Sequence, residues 1–187
     1  MTVRTALCVA AVLPLAGAPA VAQTLVAAQS EIAFVSRQMG VPIEGRFKTF
    51  AAQLAFDPHR PDAGKVALTI AMASASFAAA EAEAEVAKPA WFDVARFPQA
   101  SFQSTAIKPA GPGRYEVAGK LTIKDRTQDL TVPVALVQAG STGTATGSFV
   151  VKRLDFRIGE GEWADTGMVA NEVQVRFRFA LAGLAPP

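Results

Sequence analysis

Apolar and polar residues alternate with a period of two along most of the chain. In KVALTIAMA (65–73), Val66, Leu68, Ile70 and Met72 fall on one face, and Ala67, Thr69, Ala71 and Ala73 on the other. Ile32 and Phe34 alternate with Ala33 and Val35, and Leu54 and Phe56 follow in AAQLAFD. Phe102 lies in a strand that begins after Pro98. YEVAGKLTI (115–123) sets Tyr115, Val117, Leu121 and Ile123 on one face, with Gly119 as a bulge or bend. DLTVPVALV offers Leu130, Val132, Val134 and Leu136, and Phe149 and Val151 follow in GSFVVKRLDF. NEVQVRFRFAL (171–181) turns Val173, Val175, Phe177, Phe179 and Leu181 one way, and Gln174, Arg176 and Arg178 the other. Period two with β-branched and aromatic residues predicts half-buried strands.

The breaks carry turn chemistry: DPHRPDAG (57–64), KPAGPG (108–113), KDRT (124–127) and AGSTGTATG (139–147). Pro133 sits inside a good strand pattern, which predicts an edge, a bulge or a strand end there. FAAAEAEAEVAKPAWFD (77–93) departs from alternation and predicts a short helix of roughly two to three turns, by propensity. The pattern predicts an all-β fold: about eight strands joined mostly by hairpins, an antiparallel barrel or sandwich with one or two short helices.

The first 22 residues predict a cleaved secretory signal peptide. Arg4 is their only charge, an apolar run extends from Ala6 to Leu15, and Ala20-Val21-Ala22 forms a small-x-small site. That run is too short to span a bilayer. Residues 23–187 then form one domain, exported to the periplasm and not integral to a membrane. The single cysteine, Cys8, lies in the signal, so the remainder has no thiol chemistry and no disulfide. Without Arg4 the chain holds 17 basic and 16 acidic residues, a net charge of +1. That balance, with no basic run, argues against nucleic acid.

Catalytic and metal chemistry find little to work with, and no enzyme activity and no cofactor are expected. His59 is the one histidine and sits in a polar turn. A metal site needs several convergent ligands, and nothing orients His59 for a triad. Glu81, Glu83 and Glu85 read as a solvated helix face, and Glu160, Glu162 and Asp165 as a loop hydrogen-bond network. A hydrolase built on the latter would lack a nucleophile–base pair.

What remains is apolar. The candidate inward set is Phe34, Phe56, Leu68, Ile70, Met72, Phe102, Val117, Leu121, Ile123, Val132, Phe149, Val151, Phe177 and Phe179. An eight-stranded barrel sits at the size where side chains either fill the interior or leave room for one small ligand. Alternation fits both outcomes. Trp91, Phe92 and Trp163 are candidates for one end, either as a plain cap or as a rim whose indole N–H groups bond a polar head. Arg153 reads as a structural partner of Asp155 or as a contact for an anionic head.

At WFDVARFPQASFQST (91–105) and YEVAGKLTIKDRTQDLTVPV (115–134) the chain resembles the YceI-like family of bacterial lipid- or polyisoprenoid-binding proteins. SEIAFVSRQMGVPIEGRFKTFAAQLAFDP (30–58), VVKRLDFRIG (150–159) and NEVQVRF (171–177) extend the likeness to about residues 25–182. Two family features are replaced: Gln29 and Met39 stand where many members have histidines, and EAEAEVAKPA replaces an Arg-Asp-x-His-Leu stretch. Tryptophan before Phe-Asp and GEWAD (161–165) resemble a tryptophan-containing subgroup.

The resemblance implies an extended antiparallel lipocalin-like β-barrel with a helix at one end, holding an isoprenoid tail. It implies a periplasmic carrier without catalysis. Some relatives in the subgroup accompany membrane b-type cytochromes, which implies a quinone-like lipid and such a cytochrome as partner. The rival reading is a filled barrel that assists an electron-transfer partner or a stress response.

Overall fold

The computed structural model describes residues 23–185; the signal-peptide expectation for residues 1–22 lies outside them. Eleven strand segments form one antiparallel sheet: β1 (Thr24–Leu25), β2 (Glu31–Gln38), β3 (Val41–Phe47), β4 (Phe50–Ala55), β5 (Lys65–Ala71), β6 (Ala75–Phe77), β7 (Gln99–Gly111), β8 (Arg114–Ile123), β9 (Arg126–Ala139), β10 (Thr142–Lys152) and β11 (Glu172–Ala182). Hydrogen-bonded neighbours run β4-β5-β7-β8-β9-β10-β11-β2-β3-β6, and β1 pairs with β11 beside β2. Ten segments therefore lie on the path, rather than the eight strands expected from alternation.

The difference has a local cause. The 3₁₀ turn Ala27–Gln29 interrupts β1–β2, Lys48 and Thr49 interrupt β3–β4, and the 3₁₀ turn Met72–Ser74 interrupts β5–β6. The ladder is carried over these breaks by Lys48 N–H to Ser74 O and Ala71 N–H to Thr49 O, both 3.0 Å. Ser30 Oγ does the same work beside β11, accepting from Ala180 N–H at 3.0 Å.

The sheet closes where the chain leading into β1, which pairs with β11, meets β4. Gln23 forms a bridge with Leu54, and its side-chain amide bonds both the N–H and the C=O of Phe56. The result is a lipocalin-like barrel. Inward and outward residues alternate: Gln174, Arg176 and Arg178 on β11 face solvent, while Val175, Phe177 and Phe179 face in. That polarity is the inverse of a transmembrane barrel, and no helix of the described residues is long and apolar enough to cross a membrane.

Two expected irregularities are found. Opposite Gly119 the β7–β8 register shifts between Ser104 and Ala106. Beyond Pro133 the β9–β10 ladder stops at Val134↔Gly147, because proline has no N–H to continue it. The helix α1 (Ala80–Val86) is short, seven residues, and has no buried residue. It is tied to the sheet by Glu83, whose carboxylate accepts Phe77 N–H at 3.0 Å.

Candidate functional site

The barrel interior is hollow. One chamber of about 270 Å³ and a second of about 160 Å³ share five wall residues: Ile32, Ile70, Leu121, Phe149 and Val175. These five form a waist between the two. Together the chambers fall in the range of roughly 300–1,000 Å³ usual for ligand pockets.

Strand register puts the walls in place. Phe34 lies directly across from Gly45, and Phe177 across from Gly147. Each phenyl ring occupies the space where a glycine side chain would stand. Phe102 does the same against Gly119. The rings thereby lie along the wall and leave the axis of the barrel open. Phe177 also stacks on Phe179, with centroids 4.8 Å apart, within the range preferred by aromatic pairs.

Phe34, Met72, Ile123 and Val151 line the first chamber together with Trp91, Phe92, Trp163 and Arg153. Phe56, Leu68, Phe102, Val117, Val132, Phe177 and Phe179 line the second. Ile70, Leu121 and Phe149 line both. All eighteen residues singled out from the sequence thus line one or both of the two adjoining chambers. Phe56 and Tyr115 meet edge to face at 5.0 Å in the second chamber.

The far end of the first chamber is organised by Arg153. It is 2% exposed, and burial pushes its guanidinium pKa down. Its Nε donates to Ala170 O at 3.1 Å, Nη1 to Ile158 O at 2.8 Å and Gly159 O at 2.9 Å, and Nη2 to Trp163 O and Val169 O, both at 2.7 Å. A guanidinium has five N–H donors, and all five are taken. The expected pairing with Asp155 is therefore replaced by five main-chain carbonyls. Their dipoles offset the desolvation of the charge and draw the loop 158–170 into a cap.

Trp91 rests on this cap. Its ring lies 5.5 Å from that of Trp163 and 6.0 Å from Arg153 Cζ. Gly159, at φ +76°, lets the loop pass close: an added Cβ would stand 2.4 Å from Arg153 Nη1. Gly159 N–H and Glu160 N–H both donate to Ala90 O, at 2.8 and 2.9 Å, which fixes the segment leading into Trp91. Trp91 Nε1 is sealed from solvent and has no hydrogen-bond partner.

The carboxylates hold structure. Glu160 accepts from Arg157 at 2.9 Å and faces Lys124 at 3.6 Å, and the Arg157 contact holds its pKa below the usual range. Asp165 accepts Gly167 N–H at 2.8 Å. Glu83 is held low chiefly by the Phe77 N–H, and Glu85 pairs with Lys88. Among the described residues no three His, Cys, Asp or Glu side chains converge to hold a metal ion.

Several wall residues escaped the sequence reading. Ile43 and Phe47 alternate correctly, but Gly45 stands at the inward position between them and hides the pattern. Ile158 and Val169 come from the loop, where no period exists. Ser36 and Gln38 continue the inward face of β2 as polar residues.

Comparison with known proteins follows the same architecture. The model of the YceI-like domain matches residues 23–181. The crystal structure of Burkholderia cenocepacia BcnA is similar, at 45% identity and TM-score 0.81, covering 84% of this chain and 99% of that one. A polyisoprenoid-binding domain from Saccharophagus degradans shares the fold at 16% identity and TM-score 0.69, covering 87% of this chain and 99% of that one. Protein YceI of Salmonella arizonae is 31% identical over 137 residues, 70% of this chain and 69% of that protein. A UPF0312 protein of Pseudomonas savastanoi is 31% identical over 114 residues; the match spans 56% of this chain and 59% of that protein.

Proposed function

The chain belongs to the YceI-like family, and we propose that it is a periplasmic carrier that holds one long apolar amphiphile inside its barrel and acts by binding, without catalysis. The observation that carries this reading is the pair of in-line apolar chambers. A core built for stability alone would fill that space, because interiors pack like organic crystals and voids weaken them. A tail lying through both chambers gains about 0.8 kcal/mol for each buried CH₂. Length and flexibility of the tail, rather than many polar contacts, then supply affinity.

An isoprenoid tail suits an elongated, aromatic-lined space, and the Saccharophagus neighbour is described as polyisoprenoid-binding. We take the lipid to be quinone-like and the partner to be a membrane b-type cytochrome, as the tryptophan-containing subgroup suggests. A second feature supports exchange with a lipid surface. Met39, Val41 and Met168 are 72%, 60% and 41% exposed. They adjoin the wall residues Gln38 and Val169, which are themselves bridged. Exposed apolar side chains beside a cavity are what a lipid-exchanging lip requires.

The test is titration of delipidated protein with the fluorescent apolar probe 1-N-phenylnaphthylamine. Saturable binding, with displacement by ubiquinone, supports the proposal. Absence of saturable binding overturns it.

A further inference from the structure

We propose that Leu184 determines specificity for ligand length: it stops the second chamber at the end remote from Arg153 and so sets the longest tail the barrel takes. This rests on the carrier reading and adds a limit of length to it.

Three observations carry it. The first is where Leu184 stands. It follows β11, is 3% exposed, and lines the second chamber but not the first. It packs on Gly143, which pairs with Gln138 and Leu181 beside the β9–β10 hairpin. The Arg153 cap begins at the other end of β10, where Lys152 pairs with Glu172. β10 is eleven residues long, so about 35 Å of strand separates the two ends.

The second observation is that the residue is seated and held. An added Cβ on Gly143 would stand 2.6 Å from Leu184 Cδ1, so the glycine is what lets this side chain reach in. Gly183, at φ +78°, turns the chain back over the opening. Leu184 N–H donates to Ser141 O at 2.9 Å, and Gln138 Nε2 donates to Ala185 O at 2.5 Å. A stop tied down on both sides needs no ordering when a tail arrives.

The third is the chemistry of that end. Apart from Tyr115, and Gln23 whose amide is spent on Phe56, every residue lining the second chamber is apolar. A headgroup here would give up its hydration for a single hydroxyl. The end of the tail is therefore what comes up against Leu184. Each further CH₂ gains about fourfold in affinity while it is buried, and nothing once the tail has met the stop.

The experiment displaces 1-N-phenylnaphthylamine from delipidated protein with unbranched primary alcohols, lengthened one carbon at a time. With wild-type protein, affinity should rise about fourfold per carbon and then level at a definite length. Leu184→Ala should move that break to chains about three carbons longer, the number removed from the side chain. A leucine with only a packing role would weaken every chain alike and leave the break in place. A second readout uses wild-type protein and does not depend on the variant folding. The Leu184 methyl resonances should shift with the alcohol of break length and not with a much shorter one. An unmoved break, a rise without any break, or methyl resonances that answer to short and long chains alike overturns the inference while the carrier reading stands. If no alcohol displaces the probe, both fall.

Discussion

Phe34 and Gly45 face each other across β2 and β3, and the phenyl ring fills the place of the missing side chain. An ideal Cβ on Gly45 would stand 2.4 Å from Phe34 Cζ. Phe177 faces Gly147 in the same way, at 2.5 Å, and Phe102 covers Gly119 diagonally, from two residues along β7, at 2.4 Å. In each case the glycine lets a large ring lie against the wall. The barrel can then be lined with aromatics and still be hollow.

Alanine at these glycines should stress the wall, in a definite order. At Gly45 the obstructing atoms belong only to the Phe34 and Phe77 rings, which can swing into the first chamber. At Gly119 and Gly147 a main-chain oxygen, of Gln103 and Pro133 respectively, lies at 2.5 and 2.6 Å as well. Overpacking typically costs about 1–3 kcal/mol. Urea denaturation should place Gly45→Ala near the low end of that range, and Gly119→Ala and Gly147→Ala near the high end.

Arg153→Lys should behave as a severe change. Lysine offers three donors on one nitrogen and cannot span carbonyls contributed by residues 158 to 170. At least two buried acceptors lose their partner, each costing about 1–3 kcal/mol. Thermal unfolding should show a fall of roughly 2–4 kcal/mol in stability, the size expected when a buried network is broken. The signals of Trp91 and Trp163 in near-UV circular dichroism should weaken with it.

Glu83 makes a pH-dependent link between α1 and β6. Its pKa is lowered from the ordinary 4.5, first by the Phe77 N–H and then by Ser76. A carboxylate with a depressed folded pKa adds stability above its unfolded value and loses it as pH falls through the folded value. Glu83→Gln should therefore lower the urea midpoint at neutral pH. The gap between variant and wild type should begin to close below about pH 4.5 and vanish in stronger acid. A gap that persists in acid would assign the effect to something other than this carboxylate.

The waist gives a test that depends on ligand length. Val175 belongs to the wall of both chambers. Val175→Phe should narrow the passage between them. A short apolar probe that fits one chamber should still bind, while a long-chain quinone should lose about tenfold or more in affinity, since the tail beyond the waist no longer finds apolar surroundings. Equal losses for short and long ligands would place the ligand elsewhere.

Much of this was legible in the sequence. Strands such as β5 and β11 alternate without interruption, so their inward residues follow from period two alone. The strand number was not, because Ala27–Gln29, Lys48–Thr49 and Met72–Ser74 break strands without strong turn residues. Breaks of this kind follow from the curvature of the closed sheet, which is a property of the whole barrel. The role of Arg153 was also hidden. Its partners are carbonyl oxygens spread over thirteen residues, 158 to 170, and any residue type carries a carbonyl. Asp155, close in sequence and opposite in charge, was the natural guess. The hollow interior could not be read from alternation, since it depends on three phenylalanines lying over three glycines on neighbouring strands.

The most direct test is native mass spectrometry of the protein, purified without detergent and then extracted with organic solvent. A barrel that carries a lipid gives a discrete added mass that leaves with the solvent and is identified as a prenyl lipid. A bare protein mass, still bare after incubation with ubiquinone and with polyprenyl phosphates, would contradict the carrier reading.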